Sequence, residues 1–316
     1  MNSIIPVICA QDIMSLVRAL PGSAAQGLIW GIMAIGVFIT YKILNFADLT
    51  VDGTMGTGGA VTVMLILAGY EPVVAVAMAL IAGMLAGLIT GILHTVLGIP
   101  DILAGILTQI SLYSINLNIA QGRANQAVSV DAYRLIVSGR DITATVATVL
   151  IIIVVIIAIL YWFFGTELGF TIRSTGGNEN MSRAQGISTA SAKVIALVLS
   201  NGLVGFAGGL LAQYQGNFDV NMGRGAIVIG LASVIIGEVI GEAILGKHLN
   251  FCGRLAFVAI GSIIYYVVIQ FVLWLGLPTI DMKLFSAIVV AIFLAVPYLK
   301  AKHKNSYRRA AKNTRM

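Results

Sequence analysis

The sequence predicts an all-α, polytopic helical membrane protein, and three observations carry that prediction. Apolar residues make up 59% of the 316-residue chain and charged residues only 10%, where a soluble domain carries about 25% charged. Mean hydropathy is +0.97. The apolar residues are gathered into stretches of about 20, the length that crosses a bilayer as a helix. They lack the in/out alternation of an outer-membrane strand.

Nine such stretches follow one another at about 24–42, 50–69, 72–94, 101–119, 143–164, 193–214, 226–244, 252–276 and 283–299. Ahead of them, residues 6–20 hold Asp12 and Arg18 and are too short and charged to span. Residues 1–23 therefore read as an N-terminal interfacial segment, a helix ended by Pro21-Gly22. The clearest span is 143–164, uncharged and finished by Tyr161-Trp162-Phe163-Phe164 at the expected interface. Residues 24–299 form the transmembrane domain, and 300–316 a basic tail.

Charge sets the orientation. The tail holds Lys300, Lys302, Lys304, Arg308, Arg309, Lys312 and Arg315 with no acid, so by the positive-inside rule it is expected in the cytoplasm. Nine spans then put the N-terminus outside. Of the 19 basic residues, thirteen fall inside with seven acids, and six fall outside with six acids. The whole net charge of +6 is thus cytoplasmic. The pI of about 9.4 reports orientation; the tail reads first as a solvated topology anchor, with binding to acidic membrane lipid as the alternative, and no nucleic-acid partner is expected. Thirteen acids, three histidines and two distant cysteines, Cys9 and Cys252, suggest neither a metal site nor a disulfide framework.

Glycines are numerous and patterned. Gly83, Gly87 and Gly91 repeat at four-residue spacing, as do Gly237 and Gly241; small faces of this kind let membrane helices approach closely. Two Gly-rich breaks are more informative. Asn45-Phe46-Ala47-Asp48 leads through Asp52 into Gly53–Gly59, and Asn217-Phe218-Asp219 leads through Asn221 into Gly223–Gly225. The first follows a span running inward and the second a span running outward, as an inverted repeat would place them. The first break reads as a helix that starts within the membrane thickness, tolerated only under protein or water. Asp48 and Asp52 then have two readings: functional acids at a cost of about 2.5–3.5 kcal/mol each, or interfacial helix caps together with Thr50. Glu238 and Glu242, four residues apart, are read as interfacial, with a proton or cation relay as the alternative.

Gly241–His248 approaches a P-loop, but His248 stands where Ser or Thr would hold magnesium, and a membrane helix stands where a strand should precede it. No nucleophile elbow, zinc helix or Cys/His cluster is present in the sequence. The chain is therefore expected to be a non-enzyme with no cofactor of its own.

The longest polar stretch placed inside is 165–192. Within it Asn178 can cap a short helix from Glu179 to Gln185, with Gly186 as a left-handed stop. A two-turn helix needs a surface to lie on, and connectors usually run 2–8 residues, so this segment reads as a docking element. Arg173, Gly176, Asn178, Gly186 and Ile187 fall in register with the coupling loop of bacterial ABC importer permeases of the branched-chain amino-acid and ribose type, which the segment resembles; Met181-Ser182 replaces the family's small pair. Asp48-Leu49-Thr50-Val51 is similar to the start of the broken helix in sugar permeases, although Asp52 precedes Gly53. Asn45-Phe46-Ala47 looks more like the amino-acid branch, and Ile229–Gly237 also fits the family.

The resemblance implies a permease that works with a second copy of itself, two cytoplasmic ATP-binding subunits that hold ATP and Mg, and an extracytoplasmic solute-binding protein. It implies a coupling role for Arg173, Gly176, Asn178, Glu179, Met181, Arg183, Gly186 and Ile187. It also implies a substrate path lined by Asn45, Asp48, Thr50, Asp52, Thr54 and Thr57 with Asn217, Asp219 and Asn221. The loop 120–142, with a helical-looking Val130–Leu135, is a candidate dock for the binding protein. The sparse charge along the path favours a small zwitterionic or neutral solute, an amino acid first and a sugar or nucleoside second. An ion-coupled secondary transporter is the alternative outside this family.

Overall fold

The computed structural model describes residues 13–130, 133–246 and 249–275, with isolated positions between 284 and 295. In chain order the elements are α1 (Ile13–Phe38), continued by a π-helical turn at Ile39–Ile43, then α2 (Thr50–Leu67), α3 (Pro72–Thr95), α4 (Asp101–Ile119) and β1 (Asn125–Ala127). After these come α5 (Ile142–Phe163), α6 (Glu167–Gly177), α7 (Glu179–Ala184), α8 (Thr189–Gln215), β2 (Asn217–Asp219), α9 (Ala226–Leu245) and α10 (Phe251–Trp274). Among the described residues, eight helices are long and apolar enough to cross a membrane, which bears out the all-α polytopic expectation. The ninth expected span is described only at a few helical positions such as Leu284 and Val290, and the basic tail lies outside the described residues.

α1 and α8 form the buried centre of the bundle. α8 packs against α2 and α3, and α1 packs against α10, α9 and α8. The contacts are close because the facing residues are small. A Cβ at Gly58 of α2 would strike the Gly205 carbonyl, and one at Gly83 or Gly87 of α3 would strike the Asn201 or Leu197 carbonyl of α8. The glycine repeat read from the sequence is therefore a helix contact. Buried hydroxyls finish the centre: Ser200 Oγ donates to the Gly36 carbonyl and Ser262 Oγ to the Gly27 carbonyl, both at 2.7 Å. α5 lies at the edge and shows Leu150, Ile151, Val154, Val155 and Ile159 outward, as a lipid-facing helix should.

One end of the bundle carries the 44–49 break, the 96–100 turn, α6 and α7. The other carries a two-stranded ribbon, β1 antiparallel to β2, with Gln126 opposite Phe218. Two expectations are corrected here. Pro21-Gly22 does not end a helix, because α1 runs unbroken through Pro21. Pro21 is exposed and precedes the buried stretch, so the missing N–H falls in the outer turns, and Tyr214 Oη donates to the Gly22 carbonyl at 3.2 Å. The segment expected as a helix at 130–135 is not helical where it is described, at Val130 and from Tyr133 onward. Its backbone is satisfied from outside, the Ile136 N–H donating to Gln213 Oε1 at 2.9 Å.

Gly205→Val should destabilise the bundle by about 1–3 kcal/mol or more, since a branched side chain must separate α8 from α3, where a Cβ would strike the Ala79 carbonyl. Gly177→Ala, with nothing within 4 Å of its added Cβ, should be neutral or stabilising by up to about 1 kcal/mol. Denaturation in detergent micelles measures both, and equal midpoints for the two variants would contradict the packing described.

Candidate functional site

At the α7 end, the segment expected to dock a partner is built as a tied unit. Asn178 has an extended backbone, and its Oδ1 accepts from the Met181 N–H at 3.0 Å. Gly186 follows the helix with φ +79°. The cap and the stop are those the sequence indicates. Glu179 accepts from Arg183 Nη2 at 2.6 Å and from Lys193 Nζ at 2.9 Å, while Arg183 Nε donates to Thr189 Oγ1 at 3.0 Å. α7 is thereby fastened to the first turn of α8. The Lys193 hydrogen bond, with the nearby charges of Lys193 and Arg183, holds the Glu179 carboxyl below its ordinary value against a smaller opposing effect of burial. Lys193 also lies 3.3 Å from His94 Nε2, whose Nδ1 is 2.9 Å from the Ile99 carbonyl; one tautomer, with the proton on Nδ1, satisfies both contacts.

α6 was not apparent as a helix in the sequence, where its glycines and polar residues read as connector. Its C-terminal Gly176 lies so close to the Ile43 carbonyl that a Cβ there would collide with it. Arg173 stacks on Phe251, 4.6 Å from the ring centroid, and on Phe164 at 5.4 Å. Met181 is exposed, Ile187 half-buried, and both face the same end as Asn45. Asn45 (φ +56°) lines a cleft of about 320 Å³ with Asn178, Glu179 and Lys193. It stands with the residues expected to couple, apart from the other residues expected along the path.

Those other residues meet in the bundle interior. Asp48 is 2% exposed; its Oδ1 accepts from the Thr50 N–H at 2.9 Å and its Oδ2 from Asn201 Nδ2 at 2.7 Å. Asn201 Oδ1 accepts from Thr54 Oγ1 at 2.8 Å. Thr50, Thr90 and Thr108 are linked hydroxyl to hydroxyl at 2.8 and 2.9 Å. Asn201 stands twelve residues into the 27-residue α8, about 18 Å from its start at 1.5 Å per residue, so Asp48 is far from either end of that helix. Thr57 Oγ1 donates to the Gly53 carbonyl at 3.1 Å. Asn217 and Asp219 are ribbon residues, and Asp219 Oδ1 accepts from the Asn221 N–H at 2.7 Å.

The two Gly-rich breaks come into direct contact. From the ribbon, residues 217–225 descend along α2: Phe218 and Met222 lie against Gly59, and Gly223 against the Asp52 carbonyl. Asp52 then accepts from the Gly225 N–H through Oδ2 and the Ile227 N–H through Oδ1, both at 2.9 Å. It caps the start of α9, a helix other than its own. Beside it opens a cleft of about 280 Å³ lined by Asp52, Gln109, Tyr113, Ser114, Asn116 and Arg224, among others. On the far side of the 220–225 segment, a second cavity of about 430 Å³ is lined by Trp30, Tyr265, Tyr266 and Gln270, and again by Arg224.

Glu238 is engaged by Lys42 Nζ at 2.8 Å and by Arg254 Nη1 at 3.3 Å, and Glu242 is exposed; the interfacial reading of this pair accords with both. Sequence reasoning passed over Asn201, Thr90, Thr108, Asn116, Gln109, Tyr113 and Arg224. Most are single polar residues inside apolar spans, and only an intramembrane Asn or Arg would have flagged them.

Comparison with known proteins follows the same lines. The chain is 40% identical over 281 residues to the tyrosine transport system permease protein of Clostridioides difficile (strain R20291), covering 89% of this chain and 92% of that one. It is 27% identical to the D-allose transport system permease protein AlsC of Escherichia coli (strain K12), over 76% of this chain and 71% of the other. It is 26% identical to the autoinducer 2 import system permease protein LsrC of Yersinia pseudotuberculosis (serotype O:3, strain YPIII), over 69% and 60%. No solved structure matches it. A family model described as branched-chain amino acid transport system / permease component matches residues 20–297, so the chain belongs to that family of ABC importer permeases.

Proposed function

We propose that this permease is the membrane-spanning subunit of an ATP-driven, binding-protein-dependent importer of an amino acid. ATP and Mg are bound and hydrolysed on two separate cytoplasmic subunits that dock at the α7 end, and a solute-binding protein delivers substrate at the ribbon end. The C-terminus lies in the cytoplasm, the N-terminus outside, and the subunit works beside a second copy in the cytoplasmic membrane. The observation that carries this reading is the α6–α7 unit: a capped helix too short to stand alone, fastened to α8 through Glu179 and Lys193 and showing Met181 and Arg183 to solvent. Of the acids an ion-coupled mechanism could use, Glu238 is shared by two cations and Asp48 is enclosed by Thr50 and Asn201, which leaves Asp52 and the exposed Glu242, and the uptake experiment below separates the two mechanisms. The amino-acid substrate draws its support from the 40% relative named for tyrosine.

A thermal-shift screen of the binding protein encoded beside this chain tests the substrate, with an amino acid expected to stabilise it and a sugar not. Uptake should stop on ATP depletion and survive an ionophore; the reverse would replace this mechanism with ion coupling.

Two variants test the coupling segment. Glu179→Ala removes the acid that ties α7 to α8. Gly186→Pro cannot adopt φ +79° and loses the N–H donated to the Arg183 carbonyl. Each should leave the bundle within about 1 kcal/mol of wild type while ATP hydrolysis proceeds with little uptake in reconstituted vesicles. Normal transport by both removes the coupling assignment.

The lowered Glu179 carboxyl also predicts a pH response. Its contribution to holding α7 is present above the ordinary carboxylate range and is lost as pH falls through the lowered value. A spin label at Gln185 should therefore gain mobility only below that ordinary range, and Glu179→Gln should show the mobile spectrum at neutral pH.

A further inference from the structure

The cleft between α2, α4 and the 217–225 segment holds one acid and one base in a volume of about 280 Å³. Asp52 is fixed there by the two N–H groups of α9. A carboxylate has about four lone-pair directions, so each oxygen retains capacity for a further donor. Arg224 is exposed, forms no ion pair among the described residues, and reaches the same cleft. Its planar fork suits a carboxylate ligand better than an ammonium side chain would.

A third group points to a missing ligand. Asn116 is 1% exposed and lines this cleft, yet its Oδ1 has no hydrogen-bond partner. Its Nδ2 makes only a long 3.4 Å contact with the Gly53 carbonyl. Buried side-chain acceptors are ordinarily satisfied, and a small shift of this amide would offer the acceptor to a donor in the cleft. The aromatic cavity on the far side of Arg224 has no acid among its described lining residues, and these offer no counter-charge to an ammonium.

We infer that this cleft binds the transported solute within the membrane by its zwitterion, the ammonium against Asp52 and Asn116 and the carboxylate against Arg224. The inference rests on the importer reading above. It assigns amino-acid selectivity to the permease itself, in addition to the binding protein, because a neutral sugar would leave both charges unpaired.

The test is tyrosine uptake per ATP hydrolysed, in vesicles holding the complete complex with its ATPases and binding protein. Arg224→Gln and Asp52→Asn should each lower uptake per ATP by about tenfold or more, the worth of a charge-assisted contact. Binding-protein-stimulated hydrolysis should persist, and Arg224→Lys should recover part of the loss. Wild-type uptake per ATP in both neutral variants overturns the inference while leaving the importer reading intact. If Asp52→Asn fails to assemble because α9 loses its cap, Arg224→Gln decides, since its exposed side chain supports no packing. A wild-type complex that imports allose and excludes tyrosine overturns the amino-acid reading and the zwitterion site together.

Discussion

The arrangement of the whole bundle depends on one hydrogen-bonded carboxylate. α9 begins in the bundle at Gly225, whose φ of +88° and missing side chain leave the helix without a cap of its own. Uncapped N–H groups at a membrane-buried helix start have no water to satisfy them. Asp52 reaches across from α2 to take two of them, and its negative charge faces the positive end of the α9 dipole. For that to happen, α2 must begin where α9 begins, and residues 217–225 must descend beside it. The ribbon follows, because β2 leads into that descent and β1 closes over it. The cleft is the space left where α4 meets these two helix starts.

The acids of the bundle divide by how they are compensated. An intramembrane carboxylate costs about 2.5–3.5 kcal/mol on insertion scales, and hydrogen bonds to the ionised form offset that cost. Asp48 is enclosed and is compensated by hydrogen bonds from the Thr50 N–H and Asn201 Nδ2, which makes it a structural acid that fixes the start of α2. Asp52 is compensated by a helix terminus and stands on a cleft wall, which leaves it accessible. Glu238 is compensated by Lys42 and Arg254, and so joins the π-helical turn to α9 and α10. The two sequence readings of Asp48 and Asp52, cap or functional acid, are thus not exclusive: Asp48 accepts from the first N–H of α2 and Asp52 from those at the start of α9, and of the two Asp52 lines an open cleft.

Much of the fold was legible because the membrane restricts what a chain can do. Apolar stretches of about 20 residues mark spans wherever they occur, and the eight that lie within the described residues are all helices. The Asn178 cap and the Gly186 stop were legible because capping is local. Pro21 misled because a local breaking preference yields to packing when the residue sits in an exposed outer turn. α6 was missed because its stability comes from Gly176 against Ile43 and Arg173 on Phe251, contacts between residues far apart in sequence. The cleft was half legible: Asp52 stood out as an acid in a Gly-rich break, whereas Arg224 and Asn116 acquire meaning only from the fold that brings them beside it.

The same packing explains how an event at the α7 end can be felt at the helix starts. The α6–α7 unit is anchored twice. Through Gly176 it rests on the Ile43 carbonyl, five residues before Asp48, a separation of at most about 18 Å even fully extended. Through Glu179 it is bound to Lys193 on α8, eight residues, or about 12 Å of helix, before Asn201. Asn201 holds Asp48 at 2.7 Å. The two anchors therefore converge on one buried carboxylate that fixes the first turn of α2, and Asp52 lies one turn further along. A displacement of α7 that moved α8 and the π-helical turn unequally would have to be absorbed at Asp48, because the glycine contacts between α2, α3 and α8 leave no room for the helices to part gradually. What is left is a discrete change at the start of α2, and with it a change in the wall of the cleft.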